Sequence, residues 1–268
     1  MPYSIRLINT DGQVYYWPNI SGKPRVSSFP YLYDIVEDNI PDHFPLHKFG
    51  FNGAVPATEE DIWEGSAVYS YIPVAESLNI SCVNISDTIA GTGARVVKLL
   101  GLDGNYNEVD ESVNTNGQTG VATINAFIRI PRMIITEAGS HEKNWDTVYA
   151  GTGAIVTGVP TNVYNLITTG LNQTLMGLWT VPANHTAFIT GLYASTGIAN
   201  KTTEFELYIR PFGELFQLKQ KYHIIAGVIT RSFDLPLKVT EKSDIAMRAT
   251  AVAGGGAISA SFDLWYEK

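Results

Sequence analysis

Short runs that alternate apolar with polar side chains, each broken by turn residues about every 8–12 positions, repeat along most of this chain. Leu78 to Ile85 alternates in this way. Arg95-Val96-Val97-Lys98-Leu99-Leu100 runs into Gly101-Leu102-Asp103-Gly104-Asn105, and Glu108 to Asn114 alternates up to Asn116-Gly117, a strong turn signal. Phe205-Glu206-Leu207-Tyr208-Ile209-Arg210 alternates strictly until Pro211, and Ile258 to Trp265 closes the series. Side chains that alternate with period two belong to strands with one buried face. Long helical periodicity is nearly absent. The best helical candidate is Thr58-Glu59-Glu60-Asp61-Ile62-Trp63, where Thr58 is placed to cap a short turn and the acids lie near its positive end. The expected fold is therefore all-β and antiparallel.

Composition supports an ordered chain. Hydrophobic residues make up 45% and charged residues 16%, below the roughly 25% usual in globular proteins, so ample apolar surface is there to be buried. The strand signals fall into two series. Residues 66–170 are expected to form a first β-sandwich or jelly roll, and residues 171–268 a second. In the first series Val68 to Ile72 reads as a strand, and Gly151 to Gly170 as a strand plus a linker. Residues 1–65 differ: Tyr15, Tyr16, Trp17, Phe29, Tyr31 and Tyr33 sit among prolines in an extended, aromatic-rich arm. Such an arm cannot build a core alone and is expected to pack along a neighbouring domain or a partner chain and to anchor the protein there. Asp87-Thr88-Ile89-Ala90-Gly91-Thr92-Gly93 is echoed by Asp146-Thr147-Val148-Tyr149-Ala150-Gly151-Thr152-Gly153, which reads as one turn chemistry used twice.

The net charge of −8 argues against a nucleic-acid binder, which needs a basic face to displace counterions from phosphate. No apolar run approaches the ~18 residues of a membrane span, and no signal peptide is visible, so the chain is expected to fold in a reducing cytoplasm. The single Cys82 excludes an internal disulfide and reads as a small buried strand residue. His43 and His47 have the i, i+4 spacing of a helical metal pair, but Pro41 and Pro45 split them, and a loop is expected instead. Asp103 to Asn107 alternates oxygen ligands like a calcium loop, yet Glu108 and Asn114 stand where glycine and a bidentate glutamate belong, so a hairpin tip is expected. Glu108, Asp110 and Glu111 offer carboxylates for a glycosidase pair but read as a polar strand face. No catalytic residue, metal or cofactor is assigned. Trp145, Tyr149, Tyr164, Trp265 and Tyr266, near loop ends, are the candidate aromatics for stacking on a sugar or packing into another subunit.

Several stretches resemble a family of virion proteins of tailed bacteriophages. They are His47-Lys48-Phe49-Gly50-Phe51-Asn52, Glu59 to Trp63, Ser86 to Val97, Gly101 to Glu108 and Phe127 to Arg132. The later half adds Gln173-Thr174-Leu175, Trp179-Thr180-Val181-Pro182-Ala183 and Ser259 to Leu264. The resemblance implies a virion component without catalytic residues, assembled in the bacterial cytoplasm. Expected partners are other capsid or tail proteins and further copies of the chain, as a trimer. The leading expectation is a non-enzymatic capsid-decoration or other head- or tail-attached accessory protein. The alternatives are a receptor-binding adhesin that holds a host-surface glycan, and a polysaccharide-degrading enzyme using Glu108 and Asp110.

Overall fold

In the computed structural model of the protein, residues 6–8, 14–16, 31–197, 202–252 and 256–268 are described. The chain forms two compact units, Met1–Pro41 and Asp42–Lys268. In the first, β1 (Arg6–Ile8) and β2 (Val14–Tyr16) pair antiparallel, and α1 spans Tyr31–Val36. Of the aromatics expected in an extended arm, Tyr15 and Tyr16 are therefore in a strand, Tyr31 and Tyr33 in a helical turn, and Trp17 and Phe29 lie outside the described residues.

The second unit begins with β3 (His43–Asn52) and β4 (Glu60–Asp61). Seven strands follow: β5 (Glu76–Cys82), β6 (Ala94–Leu102), β7 (Glu108–Asn114), β8 (Val121–Phe127), β9 (Arg129–Ala138), β10 (Val148–Val156) and β11 (Val159–Ile167). The last seven are β12 (Leu178–Thr180), β13 (Thr186–Thr196), β14 (Thr202–Arg210), β15 (Gln217–Ile225), β16 (Gly227–Val239), β17 (Asp244–Ala251) and β18 (Ile258–Glu267). All pairings are antiparallel, and they make four sheets in this unit, ordered β11-β10-β5-β8, β7-β6-β9, β16-β13-β18-β3 and β12-β17-β14-β15, with β4 added beside β17.

Inward side chains unite these sheets in pairs. Leu78 and Ile80 of β5, Val97 and Leu99 of β6, Met133 of β9 and Val148 of β10 share one apolar cluster. Phe205 and Leu207 of β14, Met247 of β17, Ile189 of β13 and Phe262 of β18 share another. The period of two is kept along β18, where Ile258, Ala260, Phe262 and Leu264 are buried. In β13 the inward set is Ala187, Ile189, Leu192 and Ala194. That one-residue slip is absorbed by a register shift between Ile189 and Gly191, as a β-bulge does.

The two cores are nested in the chain rather than in tandem. β3 lies along the whole of β18, with His43 opposite Glu267 and Asn52 opposite Ile258, and β4 pairs Asp61 with Arg248. Residues 43–61 thus belong to the core completed by residues 178–267, and β5 to β11 form an excursion between them. This differs from the expected boundaries at 65 and 170, because strand pairing ignores distance along the chain. Four sheets, rather than two jelly rolls in sequence, make up the unit.

Local expectations fare unevenly. Thr58 to Trp63 contains the short strand β4 rather than a helical turn, because a buried ion pair captures it: Arg248 Nε donates to Asp61 Oδ1 at 3.0 Å and Arg248 Nη1 to Glu59 Oε1 at 2.7 Å. Val68 to Ile72 is not a strand. Gly151 to Gly170 is no linker but most of the β10–β11 hairpin. The echoed segments diverge too. Asp87 is buried in a loop, where its carboxylate accepts N–H bonds from Ala94, Trp145 and Asp146, whereas Val148 onward is strand. A Cβ on Gly93 would lie 2.0 Å from Asp87 Oδ1, so glycine is required there.

A polar joint centred on Asp244 and a band of rings hold the cores together. Asp244, at the start of β17, accepts from Arg129 Nε at 2.8 Å, from Arg210 Nη2 at 2.6 Å and from Thr180 Oγ1 at 2.6 Å. Arg129 belongs to the first core's sheets and Arg210 to the second's, and both guanidinium groups lie on the ring of Tyr71. Removing one partner of such a buried pair typically costs about 3–5 kcal/mol. Trp63, Tyr69 and Leu166 pack with Met176 and Leu178 beside it.

Candidate functional site

A cleft of about 610 Å³ opens between β3 of the second core and the β6–β7–β9 sheet of the first. Its far-apart contributors include Lys48, Glu108, Arg132, Gln173, Trp179 and Tyr266. Strand alternation explains one wall. Leu46, Lys48, Gly50 and Asn52 occupy one face of β3, and the last three of these are buried. Gly50 is required there, because a Cβ would come within 2.3 Å of the Gly177 backbone nitrogen and 2.4 Å of the Ile62 carbonyl oxygen. The next inward position is a lysine.

Lys48 is 6% exposed, and its ammonium donates to the Pro131 carbonyl oxygen at 2.5 Å. Burial, followed by the nearby Arg132 charge, pushes its pKa down to about 7. Arg132 is exposed and reaches Gln173 Oε1 at 3.4 Å. The acids of the opposite wall are engaged elsewhere: Tyr266 donates its hydroxyl to Glu108 Oε1 at 2.9 Å, and Asp110 pairs with Lys98 at 2.8 Å. Burial first, and Glu108 second, raise the Tyr266 pKa, so the phenol stays a donor. Its ring packs 5.2 Å from Trp179 and 5.2 Å from Phe44. The cleft therefore combines two adjacent cations, aromatic faces and hydrogen-bonding groups.

A smaller cavity of about 350 Å³ lies at the Arg129–Asp244–Arg210 joint, with Tyr106, Phe212 and Lys242 at its walls. Arg129 also donates to the carbonyl oxygens of Ile128 and Ile72, at 2.7 and 3.3 Å, so its guanidinium serves the fold.

Of the five candidate aromatics, Tyr266 alone lines the larger cleft. Trp145 is 41% exposed, but its ring stacks on His141 at 3.5 Å and its Nε1 donates to Thr92 Oγ1. Tyr164 is buried, with its hydroxyl 3.2 Å from Glu76. Tyr149 packs at the edge of the ring cluster between the cores. Trp265 stacks across the strands on Phe188, its register partner.

The other weighed motifs resolve as structure. His43 and His47 are on a strand, not a loop, and pair with Glu267 and Asp263 opposite them on β18. Pro45 is accommodated because β3 is an edge strand. Asp103 Oδ1 accepts the N–H groups of Asn105 and Asn107 and closes the β6–β7 hairpin. Glu111 accepts the N–H groups of Ile124 and Asn125 and so ties β7 to β8 across two sheets. Cys82 is buried on β5. Among the described residues no group of three or more His, Cys, Asp or Glu side chains is arranged to hold a metal ion, and no helix is long and apolar enough to cross a membrane. Lys48 and Arg132 were not singled out from the sequence as a site. The available signal was a lysine at an inward position of an alternating strand.

No protein-family model and no curated protein sequence matches the chain. Solved structures show weak similarity to viral particle proteins. The infectious bursal disease virus Gx strain structure is 11% identical over 88% of this chain and 76% of that chain, with a TM-score of 0.21. The Gt strain structure is 10% identical over 89% and 82%, with a TM-score of 0.18. The VP2 subviral particle of the same virus is 9% identical over 89% and 82%, also with a TM-score of 0.18. Likeness at this level does not define a shared fold, and none of these matches points to a tailed bacteriophage.

Proposed function

We propose that this chain is a non-enzymatic structural component of a tailed-phage particle, an accessory protein attached to the head or tail, assembled in the host cytoplasm as a closed homo-oligomer, a trimer on a symmetric particle. Each pair of sheets is read as a β-sandwich, one inserted within the other. The segments that resemble tailed-phage virion proteins, among them Ser86 to Val97 and Ser259 to Leu264, support the phage assignment. The observation that carries assembly is the open side of the second core. There β15 and β16 are the edges of two different sheets. Leu218 and Ile225 of β15 are 47% and 65% exposed, and Val228 and Leu235 of β16 are 62% and 87% exposed. A 13-residue edge strand with apolar side chains in water invites pairing with another chain, and coverage by a subunit removes that liability.

Cryo-EM of intact particles from the source tests the reading. Density for the chain at regular head or tail sites, with β15 and β16 against a neighbouring subunit, is the expected result. Particles that lack the chain overturn it. A second reading, a tail adhesin that holds a host glycan, is favoured by the cleft beside Lys48.

A further inference from the structure

We infer that the cleft between β3 and the β6–β7–β9 sheet binds an acidic saccharide, a carbohydrate with one carboxylate per sugar ring, whose charge is received by the Lys48 ammonium and the Arg132 guanidinium. The inference deepens the adhesin reading and rests on it for biological meaning, but it is independent of where the chain sits in a particle.

Size comes first. The volume of about 610 Å³ falls among small-ligand sites, which run from roughly 300 to 1,000 Å³. Charge decides the ligand class. An ammonium has three N–H donors, and the hydrogen bond found for Lys48 uses one, on a neutral carbonyl. Burying a cation without a counter-charge is unfavourable, and Arg132 beside it adds repulsion. The two acids of the opposite wall do not relieve this, since Glu108 is engaged by Tyr266 and Asp110 by Lys98. An incoming carboxylate between Lys48 and Arg132 satisfies both cations at once.

The remaining lining selects a sugar. Tyr266, half-buried at the cleft wall, offers its ring to the C–H face of a pyranose. Gln173 and the second carboxylate oxygen of Glu108 offer hydrogen-bonding groups to hydroxyls. Glu108 and Asp110, in a chain of net charge −8, disfavour a densely charged polyanion such as nucleic acid or polyphosphate. Isolated charges separated by neutral hydroxyls fit this mixture.

The test is calorimetric titration of the full chain with trigalacturonate, with neutral maltotriose and with triglutamate peptide, at about pH 6, where the Lys48 ammonium, with its pKa of about 7, is mostly charged. Trigalacturonate is expected to bind about tenfold or more tightly than maltotriose, and K48M and R132Q are each expected to weaken it by about tenfold, the worth of one charge-assisted hydrogen bond. Thermal melts establish that each variant is folded; if K48M is not, R132Q at its exposed position decides. Equal affinity for the neutral sugar, wild-type affinity in the folded variants, binding of triglutamate in place of the saccharide, or no binding up to about 10 mM each overturns the inference. A failure here with the chain found on particles removes the saccharide and leaves the assembly reading in place.

Discussion

Lys48 shows how a single side chain takes its character from its neighbours. On an isolated strand it would titrate at its ordinary value of 10.5, but under the first core it does so at about 7. Between these values the unfolded chain holds a proton that the folded chain has released. Stability therefore rises with pH across this window: the cost of the buried charge is fully present below about pH 7 and fades as the pH climbs towards 10.5. Urea midpoints of wild type and K48M, compared at intervals across that range, are expected to shift in favour of the wild type as pH rises. A difference that stays constant with pH would show that Lys48 is not desolvated as described. Glu111 makes the complementary point. From the sequence it is one of three acids on a polar strand, and in the fold it accepts two backbone N–H groups of a strand in another sheet.

Strands carry the signs of both burial and exposure. The alternation of β14 and β18 places Phe205, Leu207, Phe262 and Leu264 inside, as their spacing requires. β16 turns Ile229, Phe233, Leu237 and Val239 toward the core yet is exposed along most of its length, although β13 pairs with it on one side. The double variant V228K/L235K places charges where edge strands commonly carry them to prevent pairing. Light scattering is expected to show its mass reduced to that of one chain, with stability within about 0.5 kcal/mol of wild type, as for other surface changes. An oligomer unchanged by both lysines would move the subunit contact away from this edge. β3 is the opposite case: Pro41, Pro45 and two histidines discourage a strand assignment, yet all ten residues pair with β18.

For the whole molecule, nesting has a direct consequence. The compact unit starts at Asp42, so a chain of residues 42–268 is expected to unfold cooperatively, like the full protein. A chain of residues 66–268 lacks β3, and with it Asp61 and Ile62, both fully buried; it is expected to be largely unfolded. Circular dichroism and chemical denaturation of the two fragments provide the check. A stable, cooperative 66–268 fragment would show that residues 43–65 are only an arm after all.

Short alternating runs punctuated by Gly, Pro and Asn sufficed to establish a nearly all-β, antiparallel chain, because the period of two says which side chains share a face. The same runs identified inward residues such as Leu78, Ile80, Phe205 and Phe262 and anticipated the Asp103 turn and the buried Cys82. They could not say which strand each one meets. A period has no partner written into it: His47 finds Asp263 across 216 residues, and Arg129 finds Asp244 across 115. The cleft has the same origin. Segments around Lys48, Glu108, Arg132, Gln173 and Trp179 all drew notice as sequence, but their common site exists only once two sheets from different cores close over a lysine and remove the water around it.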